Sequence, residues 1–153
     1  MRVDLTEPEK SLFKAYLINK DKALYNTAEY IFFDRKINKA RIKVAIEKTA
    51  KKHPHLLSSF KISSKYVFKE IPSNSRQPNI NTLDLEPTDH SDTSFHECVR
   101  KFAMSDLKKP FDLEHKSPIR FYLLFSKTYS ALYVCSHHAA LDGYGYGVLF
   151  KDI

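Results

Sequence analysis

Ten residues near the end of the chain, Ser136-His137-His138-Ala139-Ala140-Leu141-Asp142-Gly143-Tyr144-Gly145, restrict its folding more than any other stretch. They follow the apolar run Ala131-Leu132-Tyr133-Val134-Cys135, the pattern of a strand emptying into a tight turn. Beyond the turn, Tyr144 to Ile153 has helix-like content. Asp142 is placed to cap that helix, because a carboxylate accepts from the N–H groups a helix leaves unpartnered at its start. All 3 glycines of the protein, at 143, 145 and 147, lie here, where the backbone is expected to turn sharply or approach something closely. With no glycine elsewhere, the chain has neither a phosphate-cradling loop nor a dinucleotide-binding fingerprint.

The remaining elements follow from caps and periodicity. Thr6 and Glu9 have the spacing of a capping box, and Leu12, Phe13, Tyr16 and Leu17 repeat at helical intervals, so a first helix is expected over 8–19. A strand should run from Tyr25 to Phe33. Asn38 caps a second helix whose buried face is Ile42, Ala45, Ile46 and Thr49 and which must stop before Pro54. Two strands are expected at 56–62 and 66–71, joined across Ser63-Ser64-Lys65, then a polar surface excursion over 72–92 with strand character only at 80–85. Ser94 and Glu97 suggest a second capping box for a helix ending by Leu107, with Phe95, Val99 and Phe102 as its buried stripe. A hairpin, 119–126 and 130–136, turns at Lys127-Thr128-Tyr129 and delivers His137. This order implies one domain: an α/β (α+β) two-layer sandwich with a mixed β-sheet and helices.

A chain of 153 residues can bury a real core, and 13% aromatic content suggests that sheet packing dominates it. The net charge of +7 reads as solubilising. No nucleic-acid-binding motif accompanies it, so nucleic acid is not an expected partner. Cys98 and Cys135 fall at expected core positions without metal-type spacing and read as reduced, buried thiols. No targeting segment and no apolar stretch long enough to span a bilayer are present, so a cytoplasmic protein without a membrane partner is expected.

His137 and His138 carry the chemistry. Neighbours at a strand end point to opposite sides, so one can be locked into the structure while the other faces a cavity. An imidazole, with an ordinary pKa near 6.5, suits proton transfer at neutral pH. A metal held by His137, His138 and Asp142 is the rival chemistry, but diverging neighbours make a poor chelate and no metal is expected. From the residues alone, a purely structural pair is equally open. The scattered His53, His55, His90, His96 and His115 read as surface or packing residues.

The run His137-His138-Ala139-Ala140-Leu141-Asp142-Gly143 resembles the HHxxxDG signature of the condensation-domain superfamily, which includes condensation domains of non-ribosomal peptide synthetases and chloramphenicol acetyltransferase. Leu5-Thr6 resembles the family's opening, and Lys52-His53-Pro54-His55-Leu56-Leu57-Ser58-Ser59-Phe60 its RHxxLRTxF segment. Pro110-Phe111-Asp112-Leu113 with Pro118-Ile119-Arg120 resembles PFDL…PLxR, and Tyr144 to Leu149 continues as the DGxSxxxL helix does. The resemblance thus runs in order over nearly the whole chain.

That resemblance implies the N-terminal lobe, 1–153, of a two-lobed acyltransferase with a chloramphenicol-acetyltransferase-like fold. Lys151-Asp152-Ile153 carries no helix stop signal, so a truncated product, a proteolytic fragment or a degenerate gene is expected, inactive by itself. Implied chemistry is acyl transfer from a thioester to an amine or hydroxyl. His138 would handle the nucleophile's proton, His137 would be mainly structural, Asp142 would hold the turn, and the Gly143 N–H would meet the oxyanion. No tightly bound cofactor is implied: the phosphopantetheine-linked group of an acyl or peptidyl carrier protein, or a CoA thioester, would be substrate. A stand-alone CoA-dependent O- or N-acyltransferase, suggested by Tyr144, or a non-catalytic module docking a carrier protein through basic helix 2 are the alternatives. Implied partners are the carrier protein and the missing C-terminal lobe, with self-association through the face that lobe would cover. The arginine of LRT is Leu57 here, which leaves Arg35, Arg120 or the helix N-terminus to serve Asp142.

Overall fold

The computed structural model describes residues 1–64, 66–72 and 76–153. Its organising element is β7 (Ser130–His137), every residue of which is buried. Burial on both faces explains why this strand reads as a continuous apolar run rather than an alternating one. β7 pairs antiparallel with β2 (Asn26–Phe33) on one side and with β6 (Ile119–Phe125) on the other. β5 (Ile80–Asp84) adds in parallel to β6, giving a mixed sheet in the order β2-β7-β6-β5.

Side chains of β7 alternate between two cores, as the period of two requires. Ala131, Tyr133 and Cys135 pack with Phe13 and Tyr16 of α1 (Glu7–Ile18) and with Phe95, Val99 and Ala103 of α3 (Asp92–Asp106). Leu132 and Val134 pack with Ile46 and Ala50 of α2 (Lys39–Lys52) and with Tyr146 and Leu149 of α4 (Gly143–Asp152). Each fully buried Phe, Leu or Ile of these clusters contributes roughly 1.5–3 kcal/mol of burial free energy. The result is the expected α/β sandwich with a mixed sheet, its central strand fixed from both sides.

Local signals set the helix starts. Thr6 Oγ1 accepts from Glu9 N–H at 3.4 Å while Thr6 N–H donates to Glu9 Oε2 at 2.8 Å, completing the capping box. Asn38 Oδ1 accepts from the N–H groups of Ala40 and Arg41 at 3.0 Å each. α3 departs from expectation: Ser91, not Ser94, is its cap, accepting from Ser94 N–H at 3.1 Å. Ser94 lies buried inside the first turn, its hydroxyl 2.9 Å from that of Thr88.

A second sheet, in the order β1-β4-β3, contains a strand without a sequence signal. β1 (Arg2–Asp4) pairs antiparallel with β4 (Val67–Glu70), which pairs with β3 (Ser59–Ile62). The strand expected from residue 56 begins only at Ser59, because Pro54–Leu57 forms a 3-10 turn that buries Leu56 and Leu57. Lys65, in the expected connection between β3 and β4, lies outside the described residues, as does 73–75 of the excursion. Cys135 is buried as expected, but Cys98 is only partly buried, on the rim of α3.

Candidate active site

β7 ends at His137, opposite Asn26 of β2, and the chain then turns through 138–142 into α4. The fate of each histidine follows from which side of the strand end it takes. The His137 ring is buried, 2% exposed, edge-on to the rings of Tyr16 (centroids 6.1 Å apart, 83°) and Tyr25 (6.3 Å, 64°). Burial, and secondarily the neighbouring His138, push its pKa down to about 4, so it is neutral at pH 7. Its Nδ1 accepts from Ala139 N–H at 3.2 Å. The ring proton is therefore on Nε2.

His138 is exposed. Its Nδ1 lies 3.3 Å from the Leu141 carbonyl oxygen. A carbonyl only accepts, so Nδ1 carries the proton and the lone pair resides on Nε2. The two adjacent imidazoles thus hold opposite tautomers, each set by one backbone group of the turn. The acceptor nitrogen is thus Nε2 in His138 and Nδ1 in His137.

Asp142 is the N-cap of α4, its Oδ1 accepting from Gly145 N–H at 2.7 Å. Of the three groups left to serve it, the helix N-terminus is the one that does so. Arg35 donates to Asp34 at 2.9 Å on the surface, and Arg120 is committed to the end of α3. Arg120 Nε donates to Asp106 Oδ2 at 3.2 Å, its Nη2 donates to the carbonyls of Asp106 (3.0 Å) and Lys109 (3.2 Å), and the guanidinium lies over the Phe111 ring at 4.0 Å. Asp106 is fully buried. Its Oδ2 also accepts from Tyr133 OH at 3.3 Å, and its Oδ1 is 3.3 Å from Lys109 Nζ, near enough for attraction though not aligned for a hydrogen bond. Leu57, at the position of the expected arginine, is buried in the second core.

Of the three glycines, expected where the backbone turns sharply or approaches something closely, one shows a close approach. A Cβ at Gly145 would sit 2.6 Å from Leu141 Cδ1 and 3.2 Å from Asp142 Oδ1, whereas Gly143 and Gly147 face open space and none has a positive φ. Gly143 N–H, in the first turn of α4, has no intrahelical acceptor. Tyr146 ties α4 back to the sheet. Its hydroxyl, pushed up to about 12 by burial, donates to Thr27 O at 2.7 Å and lies 2.9 Å from Ser136 Oγ.

The structure adds two features. The Tyr25 carbonyl accepts from His138 N–H at 2.8 Å, although the sequence placed Tyr25 within the strand. His53 Nε2 lies 2.5 Å from Asp152 Oδ2, and Lys52 Nζ 2.9 Å from Asp152 Oδ1, clamping the end of α2 to the end of α4. Beside them Leu56, Leu141, Tyr144, Val148 and Leu149 line an apolar cleft of about 180 Å³.

The chain belongs to the condensation-domain family: the family's model, described as Condensation domain, matches residues 4–153. It is 29% identical over 138 residues to the hybrid PKS-NRPS synthetase pvhA of Talaromyces variabilis, covering 87% of this chain and 3% of that protein. Among solved structures, a variant of the starter condensation domain of rhizomide synthetase RzmA in complex with C8-CoA matches with a TM-score of 0.84 at 20% identity, over 99% of this chain and 34% of that one. The first condensation domain of the CDA synthetase matches with a TM-score of 0.84 at 16% identity, over 99% of this chain and 39% of that one. The chain therefore spans about a third of the length of these domains. Among the described residues, no helix is long and apolar enough to cross a membrane.

Proposed function

We propose that residues 1–153 are the N-terminal, HHxxxDG-bearing lobe of a condensation domain of the non-ribosomal peptide synthetase type. It transfers an acyl or aminoacyl group from a carrier-bound thioester to an amine or hydroxyl. The observation that carries this reading is the exposed His138 ring, with Nδ1–H held by the Leu141 carbonyl at 3.3 Å and Nε2 left as an acceptor.

In the step this geometry suits, the acceptor nitrogen or oxygen attacks the thioester carbonyl carbon and gives its proton to His138 Nε2. Negative charge then develops on the carbonyl oxygen and is met by the Gly143 N–H at the positive end of α4. Collapse breaks the C–S bond, and the proton passes from the imidazolium to the departing thiolate. An amine with a pKa near 8 is mostly protonated at pH 7, so removing its proton is the task that needs a positioned base. His137, neutral and buried, holds the turn. Asp142 fixes the start of α4 and does not touch substrate.

A second lobe would supply the other half of the site, so the 153-residue chain by itself should show no turnover. In the two-lobed protein, His138→Ala should lower kcat by about 10²–10⁴-fold. A kcat within a few-fold of wild type refutes the proton-transfer role. A CoA thioester is the second reading of the donor, supported by the C8-CoA complex of the RzmA relative. Parallel assays with acyl-CoA and with acyl-loaded carrier protein separate the two.

A further inference from the structure

Among the described residues, Tyr25 is the one non-glycine residue with a positive φ, 62°. Bulky side chains avoid this region because Cβ crowds the following carbonyl, and where they occupy it the surrounding structure enforces the conformation. The place where Tyr25 does so is beside the histidine pair. The β2–β7 ladder has its last register pair at Asn26 and His137. One step past it, Tyr25 turns left-handed and its carbonyl accepts from the backbone N–H of His138 at 2.8 Å. Its ring packs edge-on to His137. One residue thus touches both histidines, with its backbone on the exposed one and its side chain on the buried one.

The next residue anchors the arrangement. Asn26 Nδ2 donates to the carbonyls of Leu107 and Lys109, both at 2.9 Å, which fixes the start of β2 against the end of α3. The strand start cannot relax toward an ordinary extended Tyr25 without breaking these bonds or abandoning His138 N–H. With that N–H held, the His138 Cα is fixed relative to the Leu141 carbonyl that sets its tautomer.

We infer that Tyr25 is a positioning residue for acyl transfer: its left-handed backbone holds His138 in the orientation that presents Nε2. The role assigned to His138 is the one given under Proposed function, and the inference rests on it. Two readouts are independent of turnover: hydrogen exchange at the His138 amide and the His138 tautomer, by ¹⁵N NMR of the 153-residue chain. The variants are Tyr25→Gly and Tyr25→Asn, which tolerate positive φ, and Tyr25→Val, which resists it. Tyr25→Ala replaces the valine variant if that one fails to fold.

Valine (or alanine) should speed exchange at His138 by about 2–10-fold, the factor a lost hydrogen bond supplies, and lower the fraction of Nδ1–H tautomer. Glycine and asparagine should keep both near wild type. In the two-lobed protein kcat should fall in the same order with KM unchanged. If valine leaves exchange and tautomer unchanged, or if glycine disturbs them as much as valine does, the inference is overturned. Retained turnover in His138→Ala would instead overturn the function reading, while the exchange data still decide what Tyr25 does to His138.

Discussion

Lowering the pH from 7 to 5 should cost the fold about 2 kcal/mol through His137 alone. The ring has a folded pKa of about 4 against an ordinary 6.5, so between those values the unfolded chain binds a proton that the native state refuses. Stability from this group is therefore fully present above about pH 6.5 and is lost as pH falls toward 4. With the two pKa values, the linkage relation gives a loss of about 2 kcal/mol between pH 7 and pH 5 and an upper bound of about 3 kcal/mol at lower pH. His55, pushed down by burial, and Asp152, held low by His53 and Lys52, add their own pH dependence, so a variant is needed for subtraction. His137→Asn keeps an acceptor for Ala139 N–H and does not titrate. Urea unfolding of both proteins at pH 7 and pH 5 should show wild type losing about 2 kcal/mol more than the variant. Equal losses, or a His137 midpoint near 6.5 in an NMR titration of the wild-type chain, would refute the buried, neutral assignment.

Asp142→Ala removes the N-cap of α4 and should cost about 1 kcal/mol in urea unfolding, while Asp142→Asn retains most of the stability. Gly147→Ala faces open space and should gain up to about 1 kcal/mol in helix propensity. At Gly145 the same change meets Leu141 Cδ1 at 2.6 Å and should be neutral or destabilising by about 1 kcal/mol. Arg120→Ala leaves the fully buried Asp106 without its guanidinium partner and should cost about 3–5 kcal/mol, visible as a drop in Tm.

What was legible in the sequence is what neighbours in the chain decide. Thr6 with Glu9, Asn38 and Asp142 each satisfy N–H groups two or three residues ahead, so spacing reveals their roles. The strand that delivers His137 was legible because burial on both faces leaves a continuous apolar run. Where long-range packing decides, the sequence was silent. β1 has 3 residues, too few for any period, and exists because β4 offers a free edge. Ser94 with Glu97 has the spacing of a capping box, yet Ser91 caps the helix while Ser94 is engaged by Thr88. Leu56 and Leu57 look like strand residues but are turned into the second core by the 3-10 turn at Pro54. Three clustered glycines look alike, yet only Gly145 has Leu141 against it. By composition Tyr25 opens the strand, yet it stands one residue before β2 with a left-handed φ, where it meets His138, 113 positions away along the chain.

Long-range ¹H–¹⁵N correlation spectra of the imidazole rings of this chain near pH 7.5 test the division of labour between the two histidines most directly. His138 should show its proton on Nδ1 and an unprotonated Nε2, while His137 should show the reverse and stay neutral down to about pH 4. A His138 ring protonated on Nε2, or a His137 ring titrating like a free imidazole, would contradict the assignment of His138 as the proton carrier and His137 as the structural partner.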